Sequence, residues 1–196
     1  YLKNGLASNL VINCYNDAKG SGNNDHVFIV AVCTELTDSV ICGNNKPYLN
    51  EYTYVMNATL KRVKFINNKS KYTIVRFGNV ATTVRSKLYD CEFINNSIDS
   101  KGRGLFSIYQ SDPGADMYRC KFIGNTVSDG PIMSFYGHTV NHCIFADNNC
   151  NDILYMPNDW CALSTVRNTL LVNNTVKRNV IRKEAKNASS ALEIEN

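Results

Sequence analysis

The sequence predicts an all-β protein: a right-handed parallel β-helix of about six to seven coils, with 23–30 residues per coil. Three observations carry this. An Asn follows a bulky apolar residue by three positions six times, at Asn44, Asn68, Asn96, Asn125, Asn148 and Asn174. Each such Asn closes one strand-like stretch, and a second follows it after several loop residues. The charged residues on the outward side of successive motifs alternate in sign.

The spacing comes first. The leading apolar positions Leu36, Leu60, Leu88, Met117, Val140 and Val166 lie 24, 28, 29, 23 and 26 residues apart. A fixed period in the range of roughly 20–50 residues marks repeat architectures. Segments 74–77, 105–108, 132–135 and 153–156 supply the second strand, rich in β-branched and aromatic residues. No repeat shows a sustained 3.6-residue apolar period, which argues against a helical solenoid. A propeller blade needs about 40–45 residues and four strands, more than this repeat offers. Coils stacked about 4.8 Å apart remain. Parallel crossovers are right-handed in about 98% of cases, which sets the expected hand.

Side-chain alternation then assigns the faces, since neighbours along a strand point oppositely. Val63, Cys91, Cys120, Cys143 and Thr169 form one inward column, and Phe65, Phe93, Phe122, Phe145 and Leu171 the next. The cysteines read as small buried hydrophobes with free thiols. Arg62, Asp90 and Arg119 form an outward column, and Lys64, Glu92 and Lys121 another, each plus, minus, plus. Opposite charges on adjacent strands stabilise by roughly 0.2–1 kcal/mol per pair. The pattern stops at Ile144 and Leu170, which are apolar and call for a cover, from the C-terminal tail or another chain. The Asn column is expected to hydrogen-bond amide to amide along the stack, with Asn also tolerating a left-handed turn there.

The repeats span 36–176. Residues 1–35 read as a degenerate coil or cap, with a rung at 6–13. Residues 177–196 read as a tail, with a short helix at 182–186 and a strand at 191–194. Weak caps imply truncation or end-to-end association. The start at Tyr1, with neither Met nor leader, fits a removed signal peptide or a segment of a longer chain.

The Phe-x-x-Asn motifs at Phe65–Asn68, Phe93–Asn96, Phe122–Asn125 and Phe145–Asn148 resemble the polymorphic outer-membrane-protein type of β-helix repeat. The family's Gly-Gly-Ala-Ile-like motif survives only as Gly102-Arg-Gly104-Leu105 and Gly130-Pro-Ile132. Surface proteins of parasitic protists carry similar Cys-x-Phe-x-x-Asn coils. The resemblance covers about 70% of the chain, and it implies a surface-exposed or secreted protein acting in adhesion or as a stalk. Cytoplasmic placement in a filament or cytoskeletal lattice is the alternative, where free cysteines are natural.

Chemistry is sparse. A net charge of +4 with mixed signs lacks the single-sign stripe of a nucleic-acid binder, and no apolar run spans a membrane. β-Helix hydrolases and lyases cluster carboxylates as acid/base pairs or calcium ligands. Here Asp90 and Glu92 project together but are flanked by cations, so neither an enzyme nor a cofactor is expected. Gly137-His138-Thr139 faintly resembles a glycosidase Gly-His-Gly but lacks its Asp partners. His138 and His142 read as surface residues, and His142 and Cys143 point to opposite faces, which disfavours a shared metal. Of five Asn-x-Ser/Thr sequons, Asn95 and Asn173 are candidates for glycosylation, and Asn68 as a ladder member is not. Tyr89 with Tyr118, Tyr109 with Tyr136, and Ile144 with Leu170 form the candidate contact surface. Protein partners or self-association through the coil ends are expected, and carbohydrate is a further candidate ligand.

Overall fold

The structure is a computed structural model. It describes residues 2–13, 28–31, 34–42, 51–71, 73–78, 85–99, 104–108, 114–134, 137–156, 164–184 and 192–195. Asn44, Tyr109 and Tyr136 lie outside these residues.

The described chain contains strands and no helix, wound into a parallel β-solenoid with three sheets. Sheet B has eight strands, from Leu6–Ser8 through Ser86–Tyr89 and Ala115–Tyr118 to Leu192–Glu195. Sheet C has seven short strands, from Val11–Asn13 through Lys64–Ile66, Glu92–Ile94, Lys121–Ile123 and Ile144–Ala146 to Leu170–Val172. Sheet A carries the longer strands, including Thr73–Gly78, Asn149–Met156 and Thr175–Lys183. The register follows the repeat: Leu60 pairs with Leu88, Leu88 with Met117 and Met117 with Val140.

Phe65, Phe93, Phe122 and Phe145 are fully buried and stack with centroids 4.7, 5.1 and 4.4 Å apart and planes within 8°. Such pairs add about 0.5–1.5 kcal/mol beyond their area burial. Phe106, from sheet A, meets Phe93 and Phe122 edge-on at 4.7 and 5.4 Å. Phe106 also stacks on Phe77 at 5.5 Å, so a second aromatic pair packs against the first column. The unbroken Phe stack marks about four regular turns, fewer than the expected six to seven coils. Beyond them the sheets continue with Ile12, Ile41 and Leu171 in the same column, without the ring stacking that defines the regular turns.

Two corners flank sheet C, and each is turned by a residue with positive φ. The first holds Asp38, Arg62, Asp90, Arg119, His142 and Asn168, and the second holds Asn67, Asn95, Gly124, Asp147 and Asn173, all with φ between 48° and 64°. The left-handed residue is therefore the one before the ladder Asn, not the ladder Asn itself. At the second corner the residue types are those that tolerate this conformation.

The ladder Asn sit just inside that corner. Asn68, Asn96, Asn125 and Asn148 are at most 1% exposed. Asn96 Nδ2 donates to Phe65 O at 2.9 Å and to Asn125 Oδ1 at 3.0 Å, while its backbone N–H reaches the same Oδ1 at 2.9 Å. Asn68, Asn125 and Asn148 repeat the pattern. Each amide thus fixes the spacing to the rungs on both sides.

The tail departs from expectation. Thr175–Lys183 is a nine-residue strand on sheet A, so Arg182 and Lys183 are extended rather than helical. Its anchor is Asp152, fully buried, whose carboxylate faces Arg178 at 3.0 Å, Arg182 at 3.7 Å and the Asn179 N–H at 3.2 Å. Leu192–Glu195 is a strand on sheet B. Neither segment covers sheet C, and Leu170 is left 55% exposed.

Candidate functional site

The outward face of sheet B is the most differentiated surface. In Ser86–Tyr89 and Ala115–Tyr118, alternation sends Ser86, Leu88, Ala115 and Met117 inward. It leaves Lys87, Tyr89, Asp116 and Tyr118 outward. Tyr89 pairs in register with Tyr118, and their rings stack at 5.3 Å and 12°. Burial, then nearby Asp116 and Tyr89, raises the Tyr118 phenol above its ordinary pKa. Arg85 crosses the neighbouring rung, pairing with Asp116 at 2.8 Å and donating to Gly137 O.

Beside Tyr89 runs a shallow open groove of about 470 Å³, lined by Glu35, Lys61, Arg62, Lys87, Tyr89 and Arg119 among others. Most of its charges are paired. Lys61 meets Glu35 at 2.8 Å. Arg62 grips Asp38 with two bonds of 2.6 and 2.7 Å, and Arg119 grips Asp90 with 2.7 and 2.8 Å. Among the described residues Lys87 carries no ion pair.

The two carboxylates that most resembled a catalytic pair are committed elsewhere. The Arg119 bond holds Asp90 below the usual carboxylate range. Burial pushes Glu92 up, but Lys64 at 3.1 Å and Lys121 at 3.2 Å outweigh it and the net shift is downward. Both cation columns are thus charge-alternating surface ladders, although Arg62 leans to Asp38 rather than Asp90.

His138 corrects the surface expectation. It is fully buried, with Nδ1 3.0 Å from the Ala115 N–H it accepts and Phe77 edge-on at 5.9 Å. Burial, then the Arg85 charge, pushes its pKa down to about 3, so the imidazole is neutral. His142 is exposed at the corner and Cys143 is buried beside it, on opposite sides as expected. No group of three or more His, Cys, Asp or Glu that could hold a metal occurs among the described residues.

Cys42, Cys91, Cys120, Cys143 and Cys150 are free thiols. In the inward column each Sγ lies 3.5–3.8 Å from two backbone carbonyls, as Cys91 does from Tyr89 O and Leu60 O. Burial raises Cys120, contact with Cys120 and then burial raise Cys143, and burial pushes Cys150 up to about 12.

The other candidate residues fall into separate places. Asn95 and Asn173 are exposed at the second corner, whereas Asn68 is locked in the ladder. Ile144 and Leu170 lie on sheet C and Tyr89 and Tyr118 on sheet B, so these two contact candidates belong to different sheets. The sequence reading missed a half-buried outward column of Ile66, Ile94 and Ile123 beside the charge ladder. Alternation from the buried Phe would have found it. Among the described residues no helix is long and apolar enough to cross a membrane. No family model, curated protein or solved structure matches this chain.

Proposed function

We propose that the chain is a non-catalytic β-helix scaffold, serving as a surface or secreted module for adhesion or structure. One observation carries this reading. The residues that recur rung after rung are spent on holding the rungs together, and the carboxylates nearest to a catalytic pair sit in ion pairs. The Tyr89–Tyr118 stack beside the groove is the contact face, because half-buried aromatics are enriched where proteins meet. The Phe-x-x-Asn resemblance to polymorphic outer-membrane and protist surface repeats supports the surface placement.

A second reading has its own support. Five described cysteines are free, which suits an intracellular filament or cytoskeletal component. Glycopeptide mass spectrometry and thiol titration under denaturing conditions, on protein from its native source, separate the two. The secreted reading expects glycans at Asn95 and Asn173 and none at Asn68. Eight titratable thiols with no glycan would overturn it in favour of the intracellular one. Turnover of polygalacturonate, lost in Glu92→Gln, would overturn the non-catalytic reading.

A further inference from the structure

The outward face of sheet B breaks the charge alternation seen on sheet C. Glu35, Thr59, Lys87 and Asp116 follow one another in register in one column, and Lys61, Tyr89 and Tyr118 in the next. Lys87 is exposed and finds no counter-ion in its column. Thr59 on the preceding rung is neutral, and Asp116 on the following rung is held by Arg85 at 2.8 Å. Glu35, two rungs back, is held by Lys61 at 2.8 Å. By contrast Lys61, Lys64, Lys69 and Lys121 each meet a carboxylate at 2.8–3.2 Å. Thr59 lines the groove of about 470 Å³ as a short side chain between the longer Glu35 and Lys87. Tyr118, on the following rung, covers one ring face of Tyr89 at 5.3 Å. The other face turns toward the rung of Thr59 and Lys61, and Tyr89 lines the groove there.

We propose that this groove binds an acidic glycan, a sugar chain whose pyranose rings carry a carboxylate or a sulfate ester. The anionic group pairs with the Lys87 ammonium beside the Thr59 hydroxyl. A hydrogen bond to a charged group is roughly twice as strong as a neutral one. The sugar ring lies against the free face of Tyr89. Glu35, neutralised by Lys61, keeps lone pairs for ring hydroxyls. A protein partner would be anchored by large side chains in a desolvated pocket. Here the groove is shallow, and every lining residue except Tyr89 is charged or carries a hydroxyl. A hydroxyl-rich ligand with one negative group per ring answers that lining. This assignment rests on the chain being an adhesion module and names what its contact face holds.

The test is isothermal titration calorimetry with four probes: tetragalacturonate for the carboxylate, κ-carrageenan tetrasaccharide for the sulfate, neutral cellotetraose, and hexaglutamate. At least one acidic sugar should bind with a Kd below about 1 mM, about tenfold or more tighter than cellotetraose. The difference between the two acidic sugars tells which anion the groove prefers. Lys87→Gln should shrink the acidic preference to within about threefold. Thr59→Glu gives Lys87 its missing counter-ion, so it should shrink the preference equally with the melting temperature held. Tyr89→Ala should weaken acidic and neutral sugars alike. Absence of binding by both acidic sugars at about 10 mM overturns the proposal. So does an acidic preference that survives both Lys87→Gln and Thr59→Glu. Hexaglutamate binding as tightly as the acidic sugars would also overturn it, by making the site one for acidic peptides. Failure here leaves the glycopeptide and thiol readouts of surface placement untouched, so the groove and the adhesion reading fail separately.

Discussion

The two corners of sheet C share one backbone and differ in what holds it. At both, a left-handed residue donates its N–H to the next rung, as Arg62 does to Tyr89 O at 2.9 Å and Asn67 to Ile94 O at 3.0 Å. At both, the next side chain turns inward. The first corner accepts Ser39, Val63, Cys91, Cys120, Cys143 or Thr169 there, whereas the second has Asn on every described rung from Asn68 to Asn174. Val63 has no polar group at all, so the first corner stands without an inward hydrogen bond. The second corner buries an amide whose Nδ2 donates to a backbone carbonyl of the preceding rung and to the Asn oxygen of the next, and whose own oxygen accepts from the preceding Asn, so only a further Asn completes the set. Tolerance at one corner and strictness at the other follow from that difference.

The largest expected effect breaks the strict corner. Asn96→Leu removes the acceptor of Asn68 Nδ2 and N–H and the Nδ2 that donates to Phe65 O and Asn125 Oδ1, leaving Asn125 Oδ1 only the backbone N–H. At about 1–3 kcal/mol per stranded buried group, with some relaxation, denaturant titration should show a loss of about 4 kcal/mol. Asn95→Leu, which disturbs only the left-handed position, should cost about 1–2 kcal/mol. Equal losses would refute the inward amide column.

The next effect comes from beyond the first corner. His138 has a folded pKa of about 3, below its unfolded value near 6.5, so the unfolded chain binds the extra proton between these limits. Stability should be full above pH 6.5 and fall toward pH 3 by up to about 1.4 kcal/mol per unit. His138→Gln should flatten that upper window in melts from pH 7 to 5. The paired carboxylates Asp38, Asp90 and Glu92 lose their stabilisation only below their ordinary range, so they cannot mimic it.

The smallest effects sharpen the tolerant corner. Cys91→Val should change stability by less than about 1 kcal/mol, since Val63 fills the same column. A loss as large as that of Asn96→Leu would erase the distinction. Arg119→Ala should change stability least of all, and less still in high salt, because its Asp90 pair is exposed and screened by solvent.

Much of this was legible in the sequence. Alternation and spacing place the Phe and Cys columns, the Lys64–Glu92–Lys121 ladder and the Asn stack in their observed register, because a slip of one residue would invert every face. The left-handed positions were not legible at Arg62 and Arg119. Arginine has no local preference for that conformation, and a carboxylate on the preceding rung holds it. His138 gave no sign of burial, since its cover comes from Phe77 and Ala115, far off in the chain. The basic stretch 182–186 read as helix by propensity, but pairing with Asn149–Met156 prevailed over its described part. Of the candidate site, the Tyr89–Tyr118 stack followed from column logic. The groove beside it depends on side chains from several rungs and could not.

The thiols of Cys91, Cys120 and Cys143 carry a practical corollary. Buried, they are shielded from alkylating reagents while the rungs stay closed. Each reacts only when its own stretch of solenoid opens. Site-resolved labelling rates would therefore time the fraying of successive rungs, making the column a clock for how unwinding travels along the rod.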